Sequence, residues 1–374
     1  MINILNKVYN KKFENNAEKT SILFGIFKKK YYPKRYCMEF RVLGIILFRS
    51  KVNKGIKKYF LLGLPVWFTN TRFELYQRVL DTLPKKYDNI YVNYNCSGET
   101  YLSLAYLKPL KNSVFIATKK YHVDLCHMMH PEVDCFYIPE LLPLRGIDNI
   151  YKENYKNVNF YNILPFQHFI NLESSMRKNL PIHYCEAICN TIGIDINANA
   201  TSPIISESIK HSALQKAKRI SLNLDNFIFL CPESQSNISP STTFWKKLVD
   251  ELYAKNYDVF INMLELKDEY GIGKTCFLTF EEAYYLASLS KCIIGLRSGF
   301  IEPLTSIKNL PIFCLYTDFK DRGLLKSISS DVVMKSFSLK KLPNVLIKNI
   351  FEYNILHISD AQEFANDILS KLSN

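Results

Sequence analysis

The chain has 374 residues, 48% of them hydrophobic, and no apolar run approaches the roughly 18 residues that a membrane-spanning helix needs. Its formal net charge is +13, yet residues 1–60 hold fifteen Lys/Arg against three acids, so +12 of that charge lies in the first sixth of the chain. A nucleic-acid enzyme would spread its basic residues along a channel, which argues against a nucleic-acid partner. Ten scattered cysteines without a CxxC pair suit buried thiols in a reducing compartment, and the N-terminus lacks the charged-then-apolar order of a signal peptide, so a cytoplasmic protein is expected.

Residues 1–70 read as a basic extension. Apolar patches (Ile22-Leu23-Phe24, then residues 42–48) alternate with lysine clusters such as Lys28, Lys29 and Lys30. This interleaving suits an anionic membrane surface, met through residues 1–60 on the inner face of the plasma membrane. A solvated basic tail is the competing reading.

From residue 71 the texture changes to alternating helix and strand patterns, the mark of an α/β fold. Phe73, Tyr76, Val79 and Leu80 keep helical spacing until Pro84 stops the run. Strands are expected at 88–94, 114–117, 134–138 and 158–161, with a polar loop at 95–100 that includes Gly98 and Glu99. His122, Asp124, Cys126, His127 and His130 fall on several faces of one helix, which favours a structural role over a metal site. Gly193 should cap the helix that closes this first domain, residues 71–200.

Residues 201–225 read as a linker carrying a charged helix at 207–219. The second domain, 226–345, opens with a buried strand at 226–231. Pro232 ends that strand, and Glu233 and Ser234 begin a long hydroxyl-rich loop before a helix at Thr243. Further strands are expected at 259–263, 292–294 and 311–316, with Thr279 as the N-cap of the helix between the first two of these. Gly271-Ile272-Gly273-Lys274-Thr275 resembles the end of a P-loop but lacks its first glycine, since Asp268 stands there. Residues 346–374 read as a helical tail with Ser359 as an N-cap.

The stretch at 291–304, KCIIGLRSGFIEPL, organises the second half. An apolar strand breaks at Gly295 into the turn Arg297-Ser298-Gly299, and a helix is expected to follow. Small residues at a strand's carboxyl end, with a helix N-terminus behind them, favour a bound anion such as a phosphate. The glycines could equally serve only to turn the chain.

Taken together, the strand ending at Cys231-Pro232 with Trp245 beyond it, the run Cys292-Ile293-Ile294-Gly295 followed by Arg297-Ser298-Gly299, and the segment from His183 to Ile194 resemble the lipopolysaccharide heptosyltransferase (glycosyltransferase family 9-like) group. The resemblance spans roughly residues 87–342. It implies an α/β protein with two Rossmann-like domains facing across a cleft (GT-B), here with the basic N-terminal extension. It also implies transfer of a sugar from a nucleotide-sugar donor to a cell-surface glycan or lipid-linked acceptor, in lipopolysaccharide, lipooligosaccharide or capsule assembly. No metal and no cofactor beyond the nucleotide sugar, a co-substrate, are implied.

By that resemblance Glu99 corresponds to the family's acidic residue and would act as base on the acceptor. Pro232, Glu233, Ser234, Arg297, Ser298, Gly299 and Glu302 would line the donor site, with Arg297 on the diphosphate. The family's loop reads Asp-[Ser/Thr]-Gly-x-x-His, whereas here Arg297 replaces the acid and Glu302 the histidine. Those two departures favour the alternative of a non-catalytic, membrane-associated binding protein with a degenerate glycosyltransferase fold.

Overall fold

The computed structural model describes residues 9–14, 17–22, 27–32, 37–42, 45–53, 56–93, 95–139, 152–165, 167–178, 182–263, 270–319, 328–343, 345, 347–358 and 360–373. Three sheets organise them. The basic segment, expected as an extension, forms a seven-stranded antiparallel meander from β1 (Tyr9–Glu14) and β2 (Ala17–Ile22) through β3 (Phe27–Tyr32), β4 (Cys37–Val42), β5 (Ile45–Asn53) and β6 (Ile56–Leu61) to β7 (Leu64–Asn70). The lysine cluster Lys28, Lys29 and Lys30 lies within β3, while Ile22, Val42 and Ile45 of the apolar patches lie at strand ends. Lys12, Lys19, Lys30, Glu39 and Arg49 form one cross-strand row, while Phe40, Phe48 and Leu61 lie in a row of the opposite face. Glu39 is buried, and it accepts from Arg41 and Arg49 at 2.8 Å each. Although burial works to raise its pKa, those hydrogen bonds and charges hold its carboxyl below the usual range.

The second sheet runs β10 (Asp134–Tyr137), β9 (Ser113–Ala117), β8 (Asn89–Asn93), β12 (Val158–Asn162), β11 (Lys152–Tyr155). All neighbours pair in parallel except β11, a strand not expected from the sequence, which adds antiparallel to β12. Helix α1 (Thr71–Thr82) packs Tyr76 and Val79 on one face of this sheet, with Tyr76 stacked on Phe160 at 4.0 Å. Helices α2 (Ser97–Tyr106) and α3 (Lys120–Met129) cover the other. A sheet buried on both faces needs nearly continuous apolar strands, and β8 and β9 supply them in Ile90-Tyr91-Val92 and Val114-Phe115-Ile116-Ala117.

Two further helices, α4 (Gln167–Arg177) and α5 (Tyr184–Ile192), close this unit, and Gly193 at φ 71° caps α5 as expected. Helix α6 (Glu207–Arg219) lies in the stretch expected as a linker, yet it belongs to the second unit. Its Ser212 hydroxyl and Lys216 ammonium each reach Glu282 at 2.6 Å.

The third sheet is wholly parallel: β14 (Asp258–Ile261), β13 (Phe227–Cys231), β15 (Ile293–Leu296), β16 (Ile312–Tyr316), β17 (Ile350–Asn354). β17 corrects the expected boundary at 345, because residues set apart as a helical tail supply the sheet's edge. Helices α7 (Thr242–Ala254) and α8 (Phe280–Ser288) pack on opposite faces of this sheet. Thr279 caps α8 in a capping box with Glu282. Ser359 lies outside the described residues. The cap of the last helix, Ala361–Leu372, is Asp360, which accepts from the amides of Gln362 and Glu363. Lys274, in the P-loop-like stretch, bonds Asp258 and the Ser221 carbonyl and adds a bridge beside β14.

Candidate functional site

In sequence order the second sheet reads 3-2-1-5-4 along its strands, so its order reverses between β8 and β12. The third sheet reverses between β13 and β15. At such switch points the loops leaving the strands' carboxyl ends diverge and open a crevice, where α/β proteins hold their ligands. The loops singled out by the sequence flank both positions. After β8 the loop expected at 95–100 is helical from Ser97, which puts Glu99 in α2, and the segment leading to His168, unmarked in the sequence, follows β12, while Pro232, Glu233 and Ser234 follow β13 and Arg297, Ser298 and Gly299 follow β15.

The two units meet at these loops. A Cβ added to Gly98 would stand 2.3 Å from Glu302 Oε2, and one added to Gly299 would stand 2.6 Å from the Gly98 nitrogen and from Ser97 Oγ. A side chain at Gly299 would meet the Gly98 backbone, and one at Gly98 would meet the buried Glu302 carboxylate. Two further contacts flank this one. Asp124 accepts from the Phe280 amide at the start of α8 (2.8 Å), and the His183 ring meets the Ser338 carbonyl (2.8 Å). Burial pushes His183 down to about 4, and with Asp124 adding its charge, burial pushes Glu281 up to about 7.

Glu99 stands in the first turn of α2, with its Oε2 accepting from the Cys96 amide at 2.7 Å. That bond alone would make it a helix cap. A second partner distinguishes it: Oε1 lies 3.6 Å from Nε2 of His168, whose Nδ1 meets the Pro165 carbonyl at 2.8 Å. Because a carbonyl can only accept, Nδ1 carries a proton, and Nε2 faces Glu99 at a separation longer than a hydrogen bond. His168 is buried, whereas the Glu99 side chain keeps 19% of its exposure. Sequence reasoning passed over His168, since nothing local marks it and only the pairing of β12 beside β8 brings it to Glu99.

The donor-side residues divide. Pro232 is buried, and Glu233 and Ser234 are half-buried, with Ser234 Oγ accepting from the amides of Ser236 and Asn237. Asn237 in turn donates to the Arg297 carbonyl at 2.5 Å, tying the loop after β13 to the loop after β15. Ser298 and Gly299 are half-buried.

Arg297 departs from expectation. Its Nη2 donates to Glu302 Oε1 (2.7 Å), Nε to the Phe337 carbonyl (2.9 Å) and Nη1 to the Ser298 carbonyl (2.8 Å), and its side chain is only 5% exposed. All three guanidinium nitrogens are committed to the protein, so Arg297 is not presented to a donor diphosphate. The helix behind the turn is also a single turn, Ile301–Leu304, too short to contribute much dipole. The two departures from the family's loop are thus partners, with a cation in the acid's place and an acid in the histidine's, paired with each other. Burial pushes Glu302 up to about 7, against the Arg297 charge and hydrogen bond that hold it down and with Glu99 raising it further. Its Oε2 is buried without a hydrogen-bond partner among the described residues and faces Gly98.

In the His122 cluster, the His122 and His130 rings meet the carbonyls of Asn95 and Leu104 at 2.9 Å, so their place is architectural. Among the described residues no group of His, Cys, Asp and Glu is placed to hold a metal ion.

The class these features define is an α/β protein of two doubly wound units, meeting through the carboxyl ends of their strands. Among solved structures, E. coli ADP-heptose lipopolysaccharide heptosyltransferase II is similar with a TM-score of 0.44 at 11% identity, over 76% of this chain and 98% of that one. E. coli heptosyltransferase WaaC with ADP gives 0.41 at 10% over 76% and 99%. A glycosyl transferase family 9 protein from Veillonella parvula gives 0.39 at 11% over 77% and 90%. No family model and no curated protein sequence matches the chain. Likenesses this weak name no substrate.

Proposed function

We propose that the protein is a glycosyltransferase that moves a sugar from a nucleotide-sugar donor to a cell-surface glycan or lipid-linked acceptor, without requiring a metal. The observation that carries this reading is the opposition of two switch points. A carboxylate backed by a histidine stands at one, and two tied loops with half-buried Ser234, Ser298 and Gly299 stand at the other. Transfer to a hydroxyl needs a base beside the acceptor and donors of hydrogen bonds beside the leaving diphosphate. Glu99 is the base and His168 the residue that positions it. Loop amides after β13 and β15 hold the diphosphate, with Arg297 bracing the second loop from behind. The basic first sheet holds the enzyme on the anionic inner face of a membrane, close to a lipid-linked acceptor.

One observation favours a second reading, a nucleotide- or glycan-binding protein without turnover: the Arg297–Glu302 pair neutralises the positive charge expected at the donor site. The test is a panel of nucleotide sugars scored by thermal stabilisation, where a ligand at ~100 times its Kd adds ~2.7 kcal/mol, followed by product analysis with the ligands that bind. Binding with transfer supports the enzyme. Binding without turnover on any glycan acceptor supports the second reading, and absence of binding across the panel removes the enzyme and the nucleotide-binding form of the second reading.

A further inference from the structure

The meander has two unlike ends. At one, the register pairs Glu14 with Ala17, Tyr32 with Cys37 and Asn53 with Ile56, and the chain between these pairs is polar or basic: Asn15-Asn16, Pro33-Lys34-Arg35-Tyr36, Lys54-Gly55. At the other, the pairs are Ile22 with Phe27, Val42 with Ile45 and Leu61 with Leu64. The sequence there repeats every 19 residues about a glycine: Leu23-Phe24-Gly25-Ile26, Val42-Leu43-Gly44-Ile45, Leu61-Leu62-Gly63-Leu64. The described pairs Ile22–Phe27, Val42–Ile45 and Leu61–Leu64 therefore lie at one end of the first sheet.

The side chains described there face solvent: Ile45 is 63% exposed, Leu62 63% and Leu64 70%, with Leu61 and Val66 also exposed. The turn itself is costly. Leu62 sits at φ 49° ahead of Gly63 at φ 85°, a two-residue turn in which Asn-Gly is the favoured pair and a leucine is strained. Neither burial nor turn geometry explains a leucine at that position; contact with an apolar medium does.

The charge identifies the medium. Lys12 lies across from Lys19, Lys19 from Lys30, and Lys51 from Lys58, although like charges directly opposite destabilise a sheet. Glu39 is the one acid in the first of these rows and is held by Arg41 and Arg49, so the lysines suit an anionic partner. A second copy would bring the same positive charge, and a nucleic acid would leave the leucines in water. From this we infer that the hairpin end centred on Leu61, Leu62 and Leu64 inserts into the headgroup and acyl boundary of an anionic bilayer, while the lysine rows lie against the lipid phosphates. This deepens the membrane reading given above and rests on it; the transferase chemistry is independent of it.

The experiment uses the full chain and sucrose-loaded vesicles of phosphatidylcholine, with or without about one-third phosphatidylglycerol. Leu62→Asn supplies the favoured turn residue and Leu64→Thr introduces a β-branched strand former, so the double variant is expected to melt no lower than the parent. Its partition onto anionic vesicles should fall by about tenfold or more, with the salt dependence retained. Lys28, Lys29 and Lys30→Gln should instead flatten the salt dependence. A tryptophan placed by Leu64→Trp should be quenched by brominated acyl chains. If the double variant binds as the parent does, or the tryptophan is not quenched, tip insertion is refuted while the membrane reading stands. If the parent ignores anionic vesicles at low salt, both fall. A parent that runs as a dimer, becomes monomeric in the double variant and binds no vesicles would assign the hairpin ends to self-association and overturn the inference.

Discussion

The loops that meet between the two units start from the same geometry and treat charge in opposite ways. Each leaves the carboxyl end of a parallel strand, and each brings a carboxylate within a few residues. After β8 the chain enters a ten-residue helix, and Glu99 stays partly exposed at its first turn with His168 behind it. After β15 it enters a single turn, and Glu302 is drawn inward onto Arg297. The first arrangement leaves a carboxylate partly open to solvent. The second commits its charge inside its own unit, to the buried pair with Arg297. Position at a strand end is therefore not enough to assign a catalytic role; what lies behind the side chain decides it.

Exchanging the first carboxylate tests the contrast most severely. Glu99→Gln should lower turnover by ~10²–10⁴-fold, the usual contribution of a general base, and leave donor affinity nearly unchanged. Donor titration and rate measurement on the same variant check this, and an equal loss in both would make Glu99 a structural cap. Arg297→Ala should act on stability instead, because it leaves Glu302 buried without its cation, a loss of about 3–5 kcal/mol. Arg297→Met combined with Glu302→Leu should recover most of that in urea unfolding. A fully stable Arg297→Ala with weakened donor binding would return Arg297 to the diphosphate.

Gly98→Ala probes the contact between the loops. Its methyl would meet the Glu302 carboxylate, so a loss of about 1–3 kcal/mol is expected, visible as a lower Tm. The smallest effect is on pH dependence. Between about 4.5 and about 7 the folded protein keeps a proton on Glu302 that the unfolded chain has released, so this group's contribution to stability is present at the acid end and lost as pH rises through the window. Neutral His122 and His183, pushed by burial to about 3 and about 4, act with the opposite sign, since the unfolded chain takes up protons that they refuse. Glu302→Gln should therefore shift the slope of stability against pH by about one proton in this window, making acidification more destabilising than in the parent. Unfolding free energies at several pH values measure this directly, and an unchanged slope would mean that Glu302 is ionised throughout.

Local chemistry in the sequence determined the elements of both α/β units where each element carries its own signal. Buried strands such as β13 and β15 announce themselves as short apolar runs, β13 ended by proline and β15 continuing through Gly295, where a break was expected, to Leu296, and Thr279 and Gly193 mark helix ends because the unpaired backbone groups there need those residues. The concentration of positive charge in residues 1–60 is likewise a property of the sequence alone. Only the tertiary structure made that segment a meander, because a hairpin's register depends on which strands find each other. Only it added Ile350–Asn354 to the third sheet, a strand whose apolar pattern is too short to stand out from the helix after it. The same holds for the site. Glu99 was legible as an acid in a strand-end loop, but its histidine arrived through the pairing of β12 with β8. Arg297 was legible as a cation in an anion-binding turn, but its direction was settled by three acceptors, two of which, Glu302 and the Phe337 carbonyl, become neighbours only when the chain closes around them. Propensity and charge act between neighbours in sequence, whereas the pairing of buried polar groups is a condition on the whole packed interior.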